Sequence, residues 1–101
     1  MMSLLQSLFG RSVPGVLDNV IAEGAVIIDV RSPGEFASGH AKGAVNIPLD
    51  QLQAKLATIN GYRKPLILCC ASGMRSARAK SFLAGLGVPN LHDAGSWRNL
   101  P

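Results

Sequence analysis

Two short runs of apolar residues constrain the fold of this chain more than any other feature of its sequence. They occupy residues 25–30 and 65–69, read AVIIDV and PLILC, and are nearly continuous in apolar side chains. Such runs are typical of strands buried on both faces of a parallel sheet. Helical periodicity around them predicts β–α–β crossovers. The expected fold class is therefore α/β in three layers, with a central, mostly parallel sheet of about four to five short strands and helices on both faces.

The first two predicted helices are bounded by recognisable capping residues. The first is predicted to have Ser12 as its N-cap, Pro14 at its start and Gly24 as its stop. The second is a single capped turn after Ser32, in which Glu35 stands three residues further on, as in a capping box. Both helices are expected to flank the first strand.

Two further helices are predicted from apolar spacing. The third covers residues 49–61, and its apolar residues lie on one face: Leu49, Leu52, Leu56 and Ile59. The fourth is predicted to begin at Arg75 or Ser76, with Ser76 well placed to cap it, and to end at Gly85 or Gly87. The remaining short elements are two strands and a turn, at residues 44–47, 89–92 and 93–95.

The composition excludes several classes of protein. With 101 residues, 48% of them apolar and 16% charged, the chain suits one small folded domain rather than a disordered segment. Ten basic against six acidic residues give a net charge of +4, but the basic residues are scattered along the chain. A nucleic-acid-binding face needs a dense basic stripe and aromatic residues for base stacking, so no nucleic-acid partner is expected.

The two cysteines of the chain, Cys69 and Cys70, are adjacent. Adjacent residues on a strand point to opposite faces, so a disulfide between them is not expected. No set of His, Cys and carboxylate residues has the spacing of metal ligands, so neither a metal nor another cofactor is expected. Free thiols fit a reducing compartment, and a cytoplasmic location is the expectation.

Residues 1–11 are predicted to form an apolar segment ahead of a domain that spans residues 12–101. Leu4, Leu5 and Leu8 are spaced as in one or two turns of amphipathic helix. The segment has no basic start and no clear cleavage site, and it is too short to span a bilayer. Neither a secretory signal nor an integral membrane segment is therefore expected. Packing against the domain is the favoured role, and docking on a membrane surface or a partner is the alternative.

Cys70 is predicted to be the first residue after a buried strand, ahead of a short loop that leads into a helix. The N-terminus of a helix presents backbone N–H groups and the positive end of the helix dipole, so such a loop binds anions and stabilises a thiolate. Arg75 adds a positive charge, directed either into the loop or onto a nearby carboxylate. Two chemistries fit this arrangement, attack on a sulfane sulfur and attack on a phosphoryl group. Cys69, inside the strand, is interpreted as an inert core residue.

Two sequence motifs resemble those of the rhodanese family. The C-x-x-G-x-R-S loop that starts at Cys70 is similar to the family's active-site loop. Residues 29–48, DVRSPGEFASGHAKGAVNIP, resemble the family's DVR, E-F and GH-x-x-GA-x-NIP signatures. The resemblance extends over residues 12–98, nearly the whole chain, and implies a rhodanese-like domain.

The resemblance implies a sulfur relay in which Cys70 is the catalytic residue. Its thiolate would take a sulfane sulfur from a donor such as thiosulfate, and a thiophilic acceptor, either cyanide or a cellular thiol, would then remove that sulfur. Backbone N–H groups of residues 71–75 would hold the persulfide and the anionic part of the donor. The predicted substrate-binding residues are those of the loop: Ala71, Ser72, Gly73, Met74, Arg75 and Ser76.

Three residues upstream of the loop are predicted to support the site. Asp29 is interpreted as a proton or orientation partner or, preferably, as a carboxylate that bonds loop N–H groups. Arg31 is expected to pair with Glu35 across the turn or to line the mouth of the site, with the structural role favoured. Catalysis is not favoured for His40, or for His92, which is predicted to lie at the end of the last strand near the rim of the site.

Departures from the family pattern bear on the substrate. Members often carry a basic or polar residue directly after the cysteine, where this chain has Ala71, and Met74 is also neutral. Doubly charged thiosulfate is therefore expected to be a poorer donor than a persulfide or a protein-bound sulfur. The alternative enzyme is a phosphatase, although such phosphatases use a longer Cys-to-Arg loop. The non-enzymatic alternative is a binding module or a persulfide carrier, which hands sulfur to an acceptor protein. A monomer is expected.

Overall fold

A four-stranded parallel sheet forms the centre of the domain. The structure, a computed structural model, describes residues 15–101. The strands are β1 (Val26–Asp29), β2 (Val45–Asn46), β3 (Leu66–Cys70) and β4 (Leu91–Ser96). They lie in the order β2-β1-β3-β4, and all three pairings are parallel. The carboxyl ends of all four strands therefore meet at one edge, where ligands bind in sheets of this kind.

Across the described residues, 15–101, four α-helices and two 3₁₀ turns connect and flank the strands. The helices are α1 (Val16–Ala22), α2 (Pro33–Ala37), α3 (Leu56–Gly61) and α4 (Met74–Gly85), and the 3₁₀ turns are Leu49–Gln51 and Trp97–Asn99. The predicted capping box of α2 is confirmed, since the Ser32 hydroxyl accepts from Glu35 N–H while the Glu35 carboxylate accepts from Ser32 N–H. The predicted cap at Ser12 and the segment 1–11 lie outside the described residues. Within residues 15–101, no helix is long and apolar enough to cross a membrane.

The core consists of two clusters, one on each face of the sheet. The α3–α4 cluster includes Ile28 and Cys70 from the sheet and Leu83 from α4. The α1 cluster includes Cys69 from the sheet and Val20 from α1. Helices thus cover both faces, and the predicted α/β class with a three-layer arrangement is confirmed. The two cysteines lie on opposite faces, because neighbouring strand residues alternate.

Two strand predictions need correction. Cys70 is the last residue of β3 rather than the first residue after it, because it pairs with Ser96 of β4. The predicted turn at residues 93–95 lies inside β4 instead. There the register shifts, Gly95 has a φ of 73°, and Asp93 Oδ1 accepts a 2.9 Å hydrogen bond from Gly95 N–H. These turn-forming residues are accommodated as a β-bulge within a strand.

Two helix predictions also need correction. The predicted helix over residues 49–61 is broken into a 3₁₀ turn and α3, because the backbone of Lys55, at φ −102° and ψ 13°, is not helical. Helix α4 begins at Met74, and its N-cap is Gly73, whose φ of 108° favours glycine. Ser76 is therefore the third residue of α4 and not its cap.

Candidate active site

The sulfur of Cys70 lies in a cradle of hydrogen bonds made by the loop and the first turn of α4. Gly73 N–H donates to Sγ at 3.0 Å, and Ser76 N–H donates to it at 3.3 Å. The Ser76 hydroxyl oxygen lies 3.5 Å from Sγ and also 3.2 Å from the carbonyl oxygen of Gly73. The hydroxyl can therefore donate either to that carbonyl or to a thiolate on Cys70. The cradle is built for a negatively charged sulfur.

Opposing effects set the pKa of the Cys70 thiol. Burial raises the pKa, and hydrogen bonds from the Ser76 side chain and from the backbone N–H groups of Ser76, Gly73 and Ser72 lower it. The hydrogen bonds outweigh burial, so the pKa of Cys70 lies below that of a free thiol. For neighbouring Cys69, burial and the charge of Asp29 instead raise the pKa to about 12. The thiolate is thus easier to form at Cys70 than at Cys69.

The remaining loop residues contribute no charge at the cradle. Ala71 is half-buried, Ser72 is exposed, and Met74 is 77% exposed. Arg75 is turned onto a carboxylate, since its Nη1 and Nη2 lie 2.7 Å and 3.0 Å from the two carboxylate oxygens of Glu35. Of the two orientations expected for Arg75, the structure shows the one onto a carboxylate.

Glu35 joins the α2 capping box to the loop around Cys70. The Arg75 guanidinium and the hydrogen bonds from Ser32 lower the pKa of Glu35 to about 2, so it is ionised at neutral pH. Both members of the pair are about one-third exposed, at 35% for Arg75 and 37% for Glu35. The pair fixes the start of α4 against α2 and cancels most of the positive charge that Arg75 would bring to the site.

Asp29 and Arg31 form a buried ion pair on the opposite face of the sheet from Cys70. Arg31 Nη2 lies 2.7 Å from Asp29 Oδ2, and the two side chains are 5% and 0% exposed. Asp29 pairs in register with Cys69, so its side chain faces the α1 cluster. The expected pairing of Arg31 with Glu35 is wrong, because Arg31 contacts only the backbone carbonyl of Glu35 and is held by Asp29 instead.

Neither histidine lies at the cradle. His40 is exposed, stacks on Phe36 and has Nδ1 2.8 Å from the Phe36 carbonyl oxygen. His92 is near the start of β4, where it pairs with Ile67, so the predicted position near the rim is wrong. The error follows from the position of β4, which extends four residues beyond His92. Among residues 15–101, no three His, Cys, Asp or Glu residues are grouped so as to hold a metal ion.

Comparison with known proteins assigns this chain to a family. The family profile described as rhodanese-like domain matches residues 13–98 of the chain. The chain belongs to the rhodanese-like family. It is 31% identical over 74 residues to thiosulfate sulfurtransferase PspE of Escherichia coli (strain K12), which covers 72% of this chain and 71% of that protein. It is also 42% identical over 69 residues, 68% of its length, to the uncharacterized protein YqhL of Bacillus subtilis (strain 168), and the match spans only 54% of that relative.

The fold of this domain is also found in solved structures of known proteins. The human single domain sulfurtransferase TSTD1 superposes with a TM-score of 0.71 and 31% sequence identity. The superposition covers 85% of this chain and 89% of the human protein. The four-stranded sheet and its helices are therefore those of a rhodanese fold.

Sequence reasoning missed an open cleft of about 980 Å³ beside the Cys70 loop of the rhodanese-like domain. Arg75, Arg78 and Phe82 of α4 line one side, and the segment that contains Asp50 lines the other. Phe82 follows the helical apolar spacing of α4, yet it is 39% exposed, and nothing in that spacing predicts a cleft at this position.

Replacing Ser76 with alanine is expected to slow the reaction of Cys70 with iodoacetamide at pH 7 by roughly tenfold. The substitution removes one hydrogen bond to a charged sulfur, an interaction of about 1.5 kcal/mol. The pKa of Cys70 rises as a result, so the increase in rate with pH moves to higher pH. Rates measured between pH 5 and pH 10 check both effects. Ser72→Ala, which removes an exposed hydroxyl and keeps the backbone N–H, is the control, and an equal effect in both variants would count against the cradle.

Proposed function

We propose that the chain is a sulfurtransferase that moves a sulfane sulfur from a donor through a persulfide on Cys70 to a thiophilic acceptor. The observation that carries the proposal is the set of contacts around Sγ: the N–H of Gly73 donates at 3.0 Å, the N–H of Ser76 donates at 3.3 Å, and the Ser76 hydroxyl oxygen lies 3.5 Å away. The family and its thiosulfate sulfurtransferase relatives support the same chemistry.

The proposed reaction has two steps that balance without an added oxidant or reductant. The Cys70 thiolate attacks the outer sulfur of the donor, an Sγ–S bond forms, and the donor's S–S bond breaks with its electron pair on the leaving group. That leaving group is sulfite from thiosulfate, or a thiolate from an organic persulfide. The acceptor, cyanide or a thiolate, then attacks the outer sulfur, and the electron pair of the Sγ–S bond returns to Cys70. Covalent relays of this kind give ping-pong kinetics.

The cradle supports both steps in the same way. Thiolate is the nucleophile in the first step and the leaving group in the second, and hydrogen bonds that stabilise it serve both roles. The N-terminus of α4, a helix of 12 residues, adds the positive end of its dipole at Gly73. The N–H donors of Gly73 and Ser76 are backbone groups held by secondary structure, so they are oriented before any substrate binds.

The charge at the site favours an organic persulfide over thiosulfate. The loop cation, Arg75, is paired with both carboxylate oxygens of Glu35, and Ala71 and Met74 are neutral. Backbone N–H groups then carry most of the binding of an anionic donor. A donor with two negative charges lacks the cation that would offset its loss of hydration.

Thiocyanate release from cyanide is expected with both donors, with kcat/KM for glutathione persulfide about tenfold or more above that for thiosulfate. Tenfold is the effect of one missing charge-assisted contact, about 1.4 kcal/mol. Ala71→Lys places a cation next to the cradle, and it is expected to raise kcat/KM for thiosulfate more than that for the persulfide.

Two outcomes would contradict these expectations. Efficient turnover of thiosulfate by the wild type, at or above the rate with the persulfide, would refute the donor preference. Hydrolysis of an aryl phosphate without release of thiocyanate would refute sulfur transfer itself, and it would favour phosphoryl chemistry at the same cysteine.

A further inference from the structure

The cleft beside the Cys70 loop carries a pair of opposite charges that the domain itself does not use. Arg78 of α4 lines one side, and Asp50 of the 3₁₀ turn lines the other. Both are exposed, and neither forms an ion pair within residues 15–101. Arg75, in the same cleft, is not available in this way because it forms an ion pair with Glu35.

The cleft lies beside the first turn of α4, which also forms part of the cradle. Arg75 lies in its wall and directly precedes Ser76, whose N–H and hydroxyl contact Cys70 Sγ. Arg78 lies four residues beyond Met74, so it is ~6 Å further along the helix axis than the first residue of α4. An amino acid or short peptide spans ~3.5 Å per residue, so a small thiol is comparable in length to this separation.

The other groups in the wall suit a small organic molecule rather than an inorganic anion. Leu49, Pro48 and Phe82 supply apolar surface, and Gln51 and Gln53 supply amide groups. Ligand sites of small molecules typically combine such apolar surface with a few convergent polar groups in a volume of ~300–1,000 Å³. The cleft, at about 980 Å³, lies at the upper end of that range.

We propose that this cleft binds the α-amino-acid group of a low-molecular-weight thiol or its persulfide, with the carboxylate on Arg78 and the ammonium on Asp50. A cation and an anion in the same cleft match a zwitterion, whereas an anion-binding site would carry cations alone. Cysteine and small peptides such as glutathione share this group. The assignment of these thiols as sulfur partners rests on the proposed function, but the binding of the zwitterion does not.

Binding of a ligand that cannot react tests the cleft independently of catalysis. S-methylcysteine and S-methylglutathione are titrated into ¹⁵N-labelled protein, and shifts of the Arg78, Asp50 and Gln53 amide signals are followed. Arg78→Gln and Asp50→Asn are each expected to weaken binding about fivefold, the upper effect of an ion pair at an exposed site. Lys55→Gln and Asp18→Asn remove the same charges outside the cleft and are expected to leave the affinities unchanged. Tighter binding of S-methylglutathione than of S-methylcysteine identifies a peptide thiol as the preferred ligand.

A series of acceptor thiols then distinguishes the contribution of Arg78 from that of Asp50. With 3-mercaptopropionate, which has only the carboxylate, Arg78→Gln is expected to raise KM about fivefold while Asp50→Asn does not. With cysteamine, which has only the ammonium, the pattern is expected to reverse. Cysteine is expected to respond to both substitutions.

Several results would overturn the assignment. No shifts at the cleft, equal effects of both substitutions on all four mercaptans including 2-mercaptoethanol, or a response to Arg78→Gln alone would each contradict a zwitterion site. If S-methylglutathione binds as expected and the wild type transfers no sulfur, the proposed function fails and the cleft assignment stands.

Discussion

Replacing Arg31 with methionine is expected to lower the free energy of unfolding by about 3–5 kcal/mol, because it leaves a buried carboxylate without its partner. Asp29 is 0% exposed, and Arg31 holds it through contacts of 2.7 Å to 3.1 Å. Arg31 also donates to the carbonyl of Gly39 at 2.7 Å and lies over the ring of Trp97. A small domain has a total stability of about 5–15 kcal/mol, so this one substitution removes a large share.

Urea unfolding followed by circular dichroism measures this loss, and the exposed pair of Arg75 and Glu35 provides the matched control. Arg75→Met removes a bidentate pair that is about one-third exposed, so its cost is expected to stay within about 1 kcal/mol. The melting temperature is expected to fall by more than about 12 °C for Arg31→Met. Equal losses in the two variants would show that burial does not distinguish the pairs, and the structural role assigned to Asp29 and Arg31 would fail.

Replacing Cys70 with serine is expected to lower kcat/KM for sulfur transfer more than about 10³-fold, as removal of a covalent nucleophile does. A serine hydroxyl at neutral pH is not ionised, and the oxygen forms no persulfide. The hydrogen bonds from Gly73 and Ser76 that stabilise the cysteine sulfur can be kept by the smaller oxygen, so the variant is expected to fold. Thiocyanate release with glutathione persulfide and cyanide measures the loss.

The adjacent cysteine is the control for this substitution. Cys69→Ala keeps the same strand and loop but removes a thiol that is 0% exposed and faces the α1 cluster. It is expected to cost some stability through a small cavity, while activity per folded molecule stays within about twofold to threefold of the wild type. A loss of activity in Cys69→Ala comparable to that in Cys70→Ser would contradict the separate roles assigned to the two thiols.

The parts of the fold that could be predicted from sequence depend on local signals. The apolar runs predict β1 and β3 because a strand buried on both faces needs continuous apolar residues. The capping box at Ser32 and Glu35 predicts α2, since its donors and acceptors lie three residues apart. Gly73 marks the end of the loop because the chain needs a positive φ there. Each of these signals lies within a few residues of the element that it determines.

The parts that could not be predicted depend on partners far away in sequence. Arg75 lies 40 residues from Glu35, and no spacing rule connects them. Cys70 belongs to β3 because Ser96 pairs with it, and that pairing depends on the bulge around Gly95. The orientation of Asp29 toward Cys69 follows from strand register, which places it on the face away from Cys70. Sequence reasoning therefore located the loop around Cys70 and misjudged several contacts of the residues predicted to support it.

The central claim, that Cys70 carries the transferred sulfur, is tested most directly by intact-protein mass spectrometry. Wild type, Cys70→Ser and Cys69→Ala are incubated with glutathione persulfide or thiosulfate, freed of small molecules without reductant, and weighed. Wild type and Cys69→Ala are expected to gain the mass of one sulfur atom and to lose it on addition of cyanide, while Cys70→Ser is expected to gain none. A sulfur atom retained by Cys70→Ser and absent from Cys69→Ala would contradict the claim.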